Sequence, residues 1–286
     1  MHFLGFINAL LVMTIRRIAI VTGSNKGIGL EIARGLARHQ STDVVILACR
    51  NRDLGLQCEL NLKREGLNVD FIQLDLSSEE SIVSFVDAVE KKYGRIDSLC
   101  NNGAIAFKAA DPTPFSEQAE PTFRTNYYGA VSLTMKLLPI MKKSIDARIV
   151  NVASMAGRLQ LLAKKPPPFL NQIKDGMFSV SDVDDLICKP FIDSVNRHEH
   201  EKEGWPSTCY GMSKLALIAF TKALARAEPE IQVYSCCPGW VKTEMSSNRG
   251  SKTPEQGAAT PLLLLTEPPG LQCSGEFWQE ERAIEW

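Results

Sequence analysis

The sequence predicts an α/β fold in which one parallel sheet is covered by helices on both faces. Short runs rich in Val and Ile alternate with longer amphipathic segments, a pattern typical of β-α-β units. Most of the short runs are apolar at nearly every position, as strands buried on both faces should be. The chain has 286 residues, of which 44% are hydrophobic, and this is enough to bury a sizeable core.

About seven strands are predicted from their apolar, β-branched content. They lie at residues 17–22, 44–49, 69–74, 98–100, 148–152 and 231–236, with a last short strand at 275–278. Helices are predicted between them at 27–39, 53–65, 78–93, 120–143, 210–227 and 254–266. The last of these helices begins with the capping-box pattern Thr253-Pro254-Glu255-Gln256, which has proline at the first helical position.

Residues 155–204 form a segment that is too long for an ordinary α/β connection, which has about 2–6 residues. The segment is polar overall, and we predict an insertion with helices at 181–187 and 190–197, not a second domain. Apolar residues recur on this charged background, as in a cover with one buried face. They are Phe169, Leu170, Ile173, Phe178, Leu186, Ile187, Phe191 and Ile192.

The N-terminus is apolar over residues 2–13, whereas a membrane span needs about 20 such residues. No cationic stretch precedes this run and no clear cleavage site follows it, so a signal peptide is poorly supported. Residues 1–14 are either a short interfacial anchor or a dispensable extension before Met13, and we favour the extension. Residues 15–286 are expected to form one domain.

The composition excludes some classes of function. Lys and Arg number 32 against 33 Asp and Glu, so the net charge of −1 gives no reason to expect a nucleic-acid partner. The eight cysteines are scattered and form no CxxC pair, which favours a reduced, cytoplasmic protein.

A glycine-rich loop, TGSNKGIG, joins the first strand to the first helix. It comprises Thr22 and the predicted cofactor-binding residues Gly23, Ser24, Asn25, Lys26, Gly27, Ile28 and Gly29. Glycine permits the tight turn and lets the backbone approach a pyrophosphate, whose charge then lies at a helix N-terminus. The strand before the loop and the helix after it favour a dinucleotide site over a plain turn.

The second strand is followed by Arg50, in the region where such folds bind the adenosine ribose. A guanidinium there can bind a 2′-phosphate, and Lys26 adds a second cation. The sequence therefore favours NADPH over NADH. Asp75 and Leu76, after the third strand, are expected near the adenine.

Tyr210 and Lys214 are four residues apart on a predicted helix and therefore lie on one face. An ammonium about 5 Å from a phenol lowers the phenol pKa by about 2 units at an effective dielectric of about 20. That shift would bring the phenol closer to the pH at which general acid-base catalysis works best. Ser154 follows a strand directly, and Asn126 lies within the helix predicted at 120–143.

These motifs together resemble the short-chain dehydrogenase/reductase family, from about residue 15 to 286. Within the family, the chain is most similar to the monomeric NADPH-dependent carbonyl reductases. The similarity rests on the glycine loop, Asn101-Asn102, Asn126, Ser154, Tyr210-x-x-x-Lys214, the segments 103–107, 203–207 and 236–243, and the long insertion. It implies a single Rossmann-type doubly wound parallel sheet and a monomer, because the related reductases use their insertion to cover the usual assembly surface.

The resemblance also implies a mechanism in which hydride from NADPH reduces a ketone, aldehyde or quinone. Tyr210 would protonate the carbonyl oxygen, Ser154 would orient it, and Lys214 would lower the Tyr210 pKa and hold the nicotinamide ribose. Asn126 would position a water for proton relay. Asn102, Pro238, Gly239, Val241 and Thr243 would contact the cofactor; Phe107, Trp240 and Met245 would line the substrate pocket, unless they serve only in core packing.

One departure from the family pattern concerns the residues after Asn102. The family usually has Ala-Gly where this chain has Gly103-Ala104. If that second position needs a positive φ, Ala104 would be strained by about 1 kcal/mol or more.

Two other functions remain open: a dedicated NADP-linked alcohol dehydrogenase or ketone reductase for one metabolite, and a non-catalytic NADPH-binding regulatory protein. His198 and His200 form an HxH pattern with no third ligand at zinc-like spacing, so no metal is expected.

Overall fold

The computed structural model describes residues 17–108, 110–175 and 177–286. Its eight strands form one sheet in the order β3-β2-β1-β4-β5-β6-β7-β8. The strands are β1 Arg17–Thr22, β2 Thr42–Cys49, β3 Val69–Gln73, β4 Ser98–Asn101, β5 Arg148–Val152, β6 Gln232–Cys237, β7 Phe277–Gln279 and β8 Arg282–Ile284. All neighbouring pairs are parallel except β7 and β8, which are antiparallel. The N-terminal run at residues 2–13 lies outside the described residues.

Helices cover both faces of the sheet, as predicted. They are α1 Gly27–Arg38, α2 Arg52–Arg64, α3 Glu79–Tyr93, α4 Phe115–Phe123, α5 Gly129–Met141, α6 Pro167–Asp175, α7 Val180–Val183, α8 Lys189–Asn196, α9 Cys209–Ala227 and α10 Pro254–Thr266. Among the helices described, none is long and apolar enough to cross a membrane.

The core has two layers because successive residues of a strand point to opposite faces. Ala19 and Val21 of β1 belong to the cluster under α1, α2 and α10, whereas Ile20 belongs to the cluster under α3, α5 and α9. The strand order reverses between β1 and β4. Ligands of open α/β sheets bind at such a switch point, outside the carboxyl ends of the strands.

The structure corrects three predictions of secondary structure. The helix predicted at 120–143 starts at Phe115 and contains a π-helical turn, Arg124–Tyr128, between α4 and α5. The predicted all-parallel sheet of about seven strands gains the antiparallel β8. In the insertion, the helix predicted at 181–187 is a short α7 followed by a π-helical turn, Asp184–Cys188, and α6 was not predicted.

The insertion packs into the main core, as its apolar pattern predicts. Ile173, Phe178, Ile187 and Phe191 are at most 4% exposed. The other four predicted anchors are partly buried against the same cluster as α9, and they are Phe169, Leu170, Leu186 and Ile192. The insertion therefore shares the hydrophobic core of the sheet.

Candidate active site

The glycine-rich loop makes a tight turn at the carboxyl end of β1. Gly23 and Gly27 have φ of +64° and +56°, a region that side chains disfavour. A Cβ on Gly29 would lie 2.4 Å from the Gly23 carbonyl oxygen, so no larger residue fits there. Glycine is thus required at these positions by backbone geometry and by close packing within the loop.

The end of β4 is tied to this loop by hydrogen bonds. Asn102 Nδ2 donates to the Thr22 carbonyl at 2.9 Å, and the backbone N–H groups of Asn102 and Gly103 donate to Thr22 Oγ1 at 3.0 and 2.8 Å. Ala104 does not have a positive φ. The strain considered for the Gly103-Ala104 order is therefore absent.

The loop fits an anionic group such as a pyrophosphate. The N-cap residue of α1, Lys26, makes no side-chain cap, so the first N–H groups of the helix are left for another acceptor. Ser24 Oγ is fully buried and has no hydrogen-bond partner among the described residues. A buried hydroxyl without a partner is costly, and a bound polar group would satisfy it.

The residues predicted to select the cofactor differ in their surroundings. The Arg50 side chain is exposed, and no ion pair of its guanidinium is found within the described ranges. The Lys26 ammonium instead pairs with Glu244, and both side chains are largely exposed, so this pair is weak. Asp75 accepts hydrogen bonds from the N–H and Oγ of Ser77, whereas Leu76 is buried.

Tyr210 and Lys214 lie in the first turns of α9, which is capped by Thr208. Lys214 is 3% exposed, and its Nζ donates to the Val152 carbonyl at 2.8 Å, at the end of β5. The Ser154 side chain is close enough to the Tyr210 hydroxyl to lower its pKa, and the Lys214 Nζ lies 5.8 Å from the centre of the Tyr210 ring. The structure therefore brings Ser154, Tyr210 and Lys214 together.

Burial shifts the pKa values of Tyr210 and Lys214 in the direction that favours the neutral form of each side chain. It raises the pKa of Tyr210 to about 12, although the neighbouring Ser154 side chain lowers it somewhat. It lowers the pKa of Lys214 to about 8. The protein alone thus shows the opposite of the predicted Tyr210 shift, because the loss of hydration on burial is the largest influence on this pKa.

Asn126 lies in the π-helical turn and is 1% exposed. Its Oδ1 accepts from the Ile105 N–H at 2.8 Å, and its Nδ2 donates to the Ile105 carbonyl at 2.9 Å and to Ser213 Oγ at 3.1 Å. Ser213 Oγ in turn donates to the Tyr210 carbonyl at 2.8 Å. The amide of Asn126 therefore links the loop after β4 to the start of α9.

The insertion contacts this π-helical turn directly. The Tyr128 hydroxyl donates a hydrogen bond to Asp184, and Cys188 lies close enough to Tyr127 to raise its pKa. Both partners belong to the π-helical turn of the insertion. Asp184 and Ser213 were not predicted from the sequence as part of the site, because only the fold brings them there.

The segment that follows β6 lies against the glycine-rich loop. Gly239 has a φ of +85°, and Val241 pairs with Lys252 in an isolated parallel bridge. Thr243 Cγ2 would lie 3.3 Å from a Cβ on Gly27, so this segment packs on the glycine loop. Pro238 lies between β6 and Gly239.

The three predicted pocket residues are not ordinary core residues. Trp240 is 59% exposed and Met245 is 41% exposed, while Phe107 is partly buried. The Trp240 indole N–H donates to the Arg249 carbonyl at 2.9 Å. Core packing, the alternative for Trp240 and Met245, is therefore wrong.

Metal and disulfide chemistry find no support in the described ranges. No group of three His, Cys, Asp or Glu residues that could hold a metal ion occurs there. His200 of the HxH pattern stacks against Phe115 and is hydrogen-bonded to Ser207. All eight cysteines are free thiols, and seven are buried.

A dinucleotide-type glycine loop and a Ser-Tyr-Lys group at the same sheet edge define an oxidoreductase of the doubly wound class. The family model described as short chain dehydrogenase matches residues 17–165 and 192–254. The chain therefore belongs to the short-chain dehydrogenase/reductase family.

Named relatives agree with this assignment. Carbonyl reductase (NADPH) 3 of Rattus norvegicus is 42% identical over 259 residues, which cover 88% of this chain and 92% of the relative. Carbonyl reductase (NADPH) 1 of Homo sapiens is 39% identical, with 94% and 98% covered. The structure of salutaridine reductase from Papaver somniferum superposes with a TM-score of 0.83 at 30% identity, covering 92% of this chain and all of that one.

Proposed function

We propose that the protein reduces carbonyl compounds to alcohols with NADPH. The observation that carries this proposal is the grouping of Ser154, Tyr210 and Lys214 at the sheet edge that also holds the glycine loop. The relatives at about 40% identity, whose names state NADPH-dependent carbonyl reduction, support it.

Bound NADPH supplies the hydride that adds to the carbonyl carbon. Tyr210 donates its proton to the carbonyl oxygen, and its high pKa in the protein keeps it protonated at neutral pH. Ser154, whose side chain lies beside the Tyr210 hydroxyl, orients the same oxygen. The Lys214 ammonium, anchored on the Val152 carbonyl, stabilises the negative charge left on Tyr210.

Asn126 supports the return of a proton toward Lys214. Its side-chain amide is already bonded to Ile105 and Ser213. Both N–H groups of that amide are used, so a water in the relay would be held by the backbone of this turn or by the second lone pair of Asn126 Oδ1. A π-helical turn suits this role because it interrupts the regular hydrogen bonding of the helix.

Residues in and around the glycine-rich loop would bind the cofactor. Gly23 to Gly29 and the start of α1 bind the pyrophosphate, Arg50 binds the 2′-phosphate, and Asp75 and Leu76 flank the adenine. Asn102, Pro238, Gly239, Val241 and Thr243 lie toward the nicotinamide half. Trp240, Met245 and Phe107 border the substrate.

Turnover on a panel of quinones, aldehydes and aromatic ketones with NADPH tests the function. We expect NADPH oxidation that depends on the added carbonyl and yields the alcohol. NADPH binding without turnover of any member would contradict the proposal and support a regulatory protein.

A reductase dedicated to one metabolite is the second candidate. It is favoured by the structural similarity to salutaridine reductase, a protein named for one substrate. Activity confined to one member of a broad panel would support this candidate, whereas comparable kcat/KM across several classes would support a general carbonyl reductase.

The Arg50→Asp variant should bind NADPH roughly 100-fold more weakly, because a carboxylate replaces the phosphate partner and repels it. Binding of NADH should change much less. Fluorescence titration with both cofactors measures this. Arg52→Asp, at the exposed first position of α2, is the matched control and should bind NADPH as the wild type does. Preference of the wild type for NADH would overturn the role of Arg50.

We further propose that the protein is a cytoplasmic monomer of one domain. The insertion packs against α4 and α9, and it covers apolar residues that soluble monomers rarely expose. Light scattering should give a mass of 31.7 kDa at micromolar concentration. A stable dimer or tetramer would refute the covering role.

A further inference from the structure

The hairpin of β7 and β8 returns the chain toward the active site. Its two-residue turn consists of Glu280 and Glu281, which have φ of +51° and +61°. Beyond β8 the chain reaches Trp286, whose side chain is largely buried and belongs to the same core cluster as Leu215 of α9. Trp286 is therefore packed beside the helix that carries Tyr210 and Lys214.

The Trp286 indole makes one specific polar contact. Its Nε1 donates to the Gly157 carbonyl at 3.0 Å in a buried environment. The Lys222 Nζ, also from α9, lies 5.8 Å from the centre of its ring. The hydrogen bond fixes the position of Gly157 relative to the end of the chain.

Gly157 ends the 3₁₀ turn Met155–Gly157, which starts directly after Ser154. The Ser154 hydroxyl accepts from the Ala156 N–H at 3.1 Å, and the Gly157 N–H donates to the Ser154 carbonyl at 2.9 Å. A Cβ on Gly157 would lie 2.6 Å from both the Leu215 nitrogen and the Lys214 carbonyl carbon. The turn therefore connects Ser154 rigidly to the backbone of α9 at Lys214.

We propose that Trp286 is a positioning residue: its indole N–H holds this turn against α9 and thereby fixes the Ser154 hydroxyl relative to Tyr210. The inference rests on the proposed function for its effect on turnover. Trp286, about 130 positions from Ser154 in the sequence, would thus help to shape the active site.

The Trp286→Phe variant tests this because it keeps an aromatic ring but removes the N–H donor, together with the ring volume that the control below also loses. We expect kcat to fall roughly 3- to 10-fold, the effect of one neutral hydrogen bond, with the Kd for NADPH unchanged. In a Ser154→Ala background the same substitution should change kcat by less than about 2-fold, because the group that it positions is gone.

Trp278→Phe is the matched control. Trp278 is as buried as Trp286, but its Nε1 has no hydrogen-bond partner among the described residues and it lies in the other core cluster. This variant should keep the wild-type kcat. Wild-type kcat in Trp286→Phe, or an equal loss with and without Ser154, would overturn the proposal.

Amide hydrogen exchange separates this inference from the proposed function. In the cofactor-free protein, Trp286→Phe should speed exchange in residues 154–158 but not in residues 17–22, and Trp278→Phe should do neither. If the wild type reduced no carbonyl compound but exchange changed in this way, the proposed function would be wrong, whereas the role of Trp286 in holding the turn would be supported. Unchanged exchange in residues 154–158 would show that the Trp286 indole does not hold this turn.

Discussion

Replacing Tyr210 by phenylalanine should lower kcat for carbonyl reduction by about 10³-fold or more, because a general acid alone contributes about 10²–10⁴-fold. The hydroxyl that is lost lies beside Ser154, whereas the Tyr128 hydroxyl in the neighbouring π-helical turn is bonded to Asp184. NADPH binding should be retained, since the loop and Arg50 are untouched. Single-turnover kinetics together with NADPH titration measure both quantities.

Tyr93→Phe provides the control for this result. Tyr93 ends α3 and donates its hydroxyl to Asp70 at 2.6 Å, remote from the glycine loop. This variant also loses a phenol hydroxyl and should keep its activity. Retention of more than a few per cent of the rate in Tyr210→Phe would dismiss Tyr210 as the proton donor.

The second large effect is expected for Lys214→Met, which should gain stability while it loses activity. Burial lowers the Lys214 pKa from 10.5 to about 8, which corresponds to a cost of about 3 kcal/mol at neutral pH. Methionine avoids that cost but also gives up the hydrogen bond to Val152. We expect a gain of about 1–2 kcal/mol in the free energy of unfolding at pH 7 and a rate loss of about 10²-fold or more.

The pH dependence of that stability difference has a defined sign. Between pH 8 and 10.5, Lys214 is protonated in the unfolded chain but neutral in the folded one. Wild-type stability therefore rises with pH in this window relative to Lys214→Met, and the advantage of the variant disappears above it. Urea unfolding of the cofactor-free proteins at several pH values measures the difference.

Lys202→Met serves as the control for the stability measurement. Its side chain is 83% exposed, so the same substitution should leave both the unfolding free energy and its pH dependence nearly unchanged. A Lys214→Met protein that is less stable than the wild type at pH 7 would contradict the assigned burial cost.

Elements of the fold could be predicted from the sequence where a local sequence pattern agrees with the overall fold. The bounds of β1, β5 and α10 coincide with those predicted, because β1 and β5 are apolar strands with abrupt ends and α10 starts at a capping box. The glycine loop was identified since strand, turn and helix follow in the required order. Ser154 was expected in the crevice at the carboxyl end of its strand, and its grouping with Tyr210 and Lys214 was implied by the family resemblance.

The other structural features were not predicted, because the residues that form them carry no recognisable sequence pattern. The turn before β8 has Glu280 and Glu281 in place of the Asn or Gly that hairpin turns favour, so the hairpin was not expected. Helix α6 starts at Pro167, inside a proline run that suggests a break, although proline is tolerated in a first turn. The π-helical turn adds one residue to a continuous helical pattern, which the sequence does not mark. The Tyr210 pKa depends on how deeply the side chain is buried, and the spacing of Tyr210 and Lys214 in the sequence does not reveal this.

The hydrogen bond between Tyr128 and Asp184 has a consequence for protein engineering. The family model skips residues 166–191, so this part of the chain invites exchange between homologues as a way of altering which substrates are accepted. Such a graft would also replace the support under the turn that carries Asn126. Chimeras that preserve the Tyr128–Asp184 pair should therefore keep their turnover, whereas those that lose it would mix a change of selectivity with damage to proton transfer.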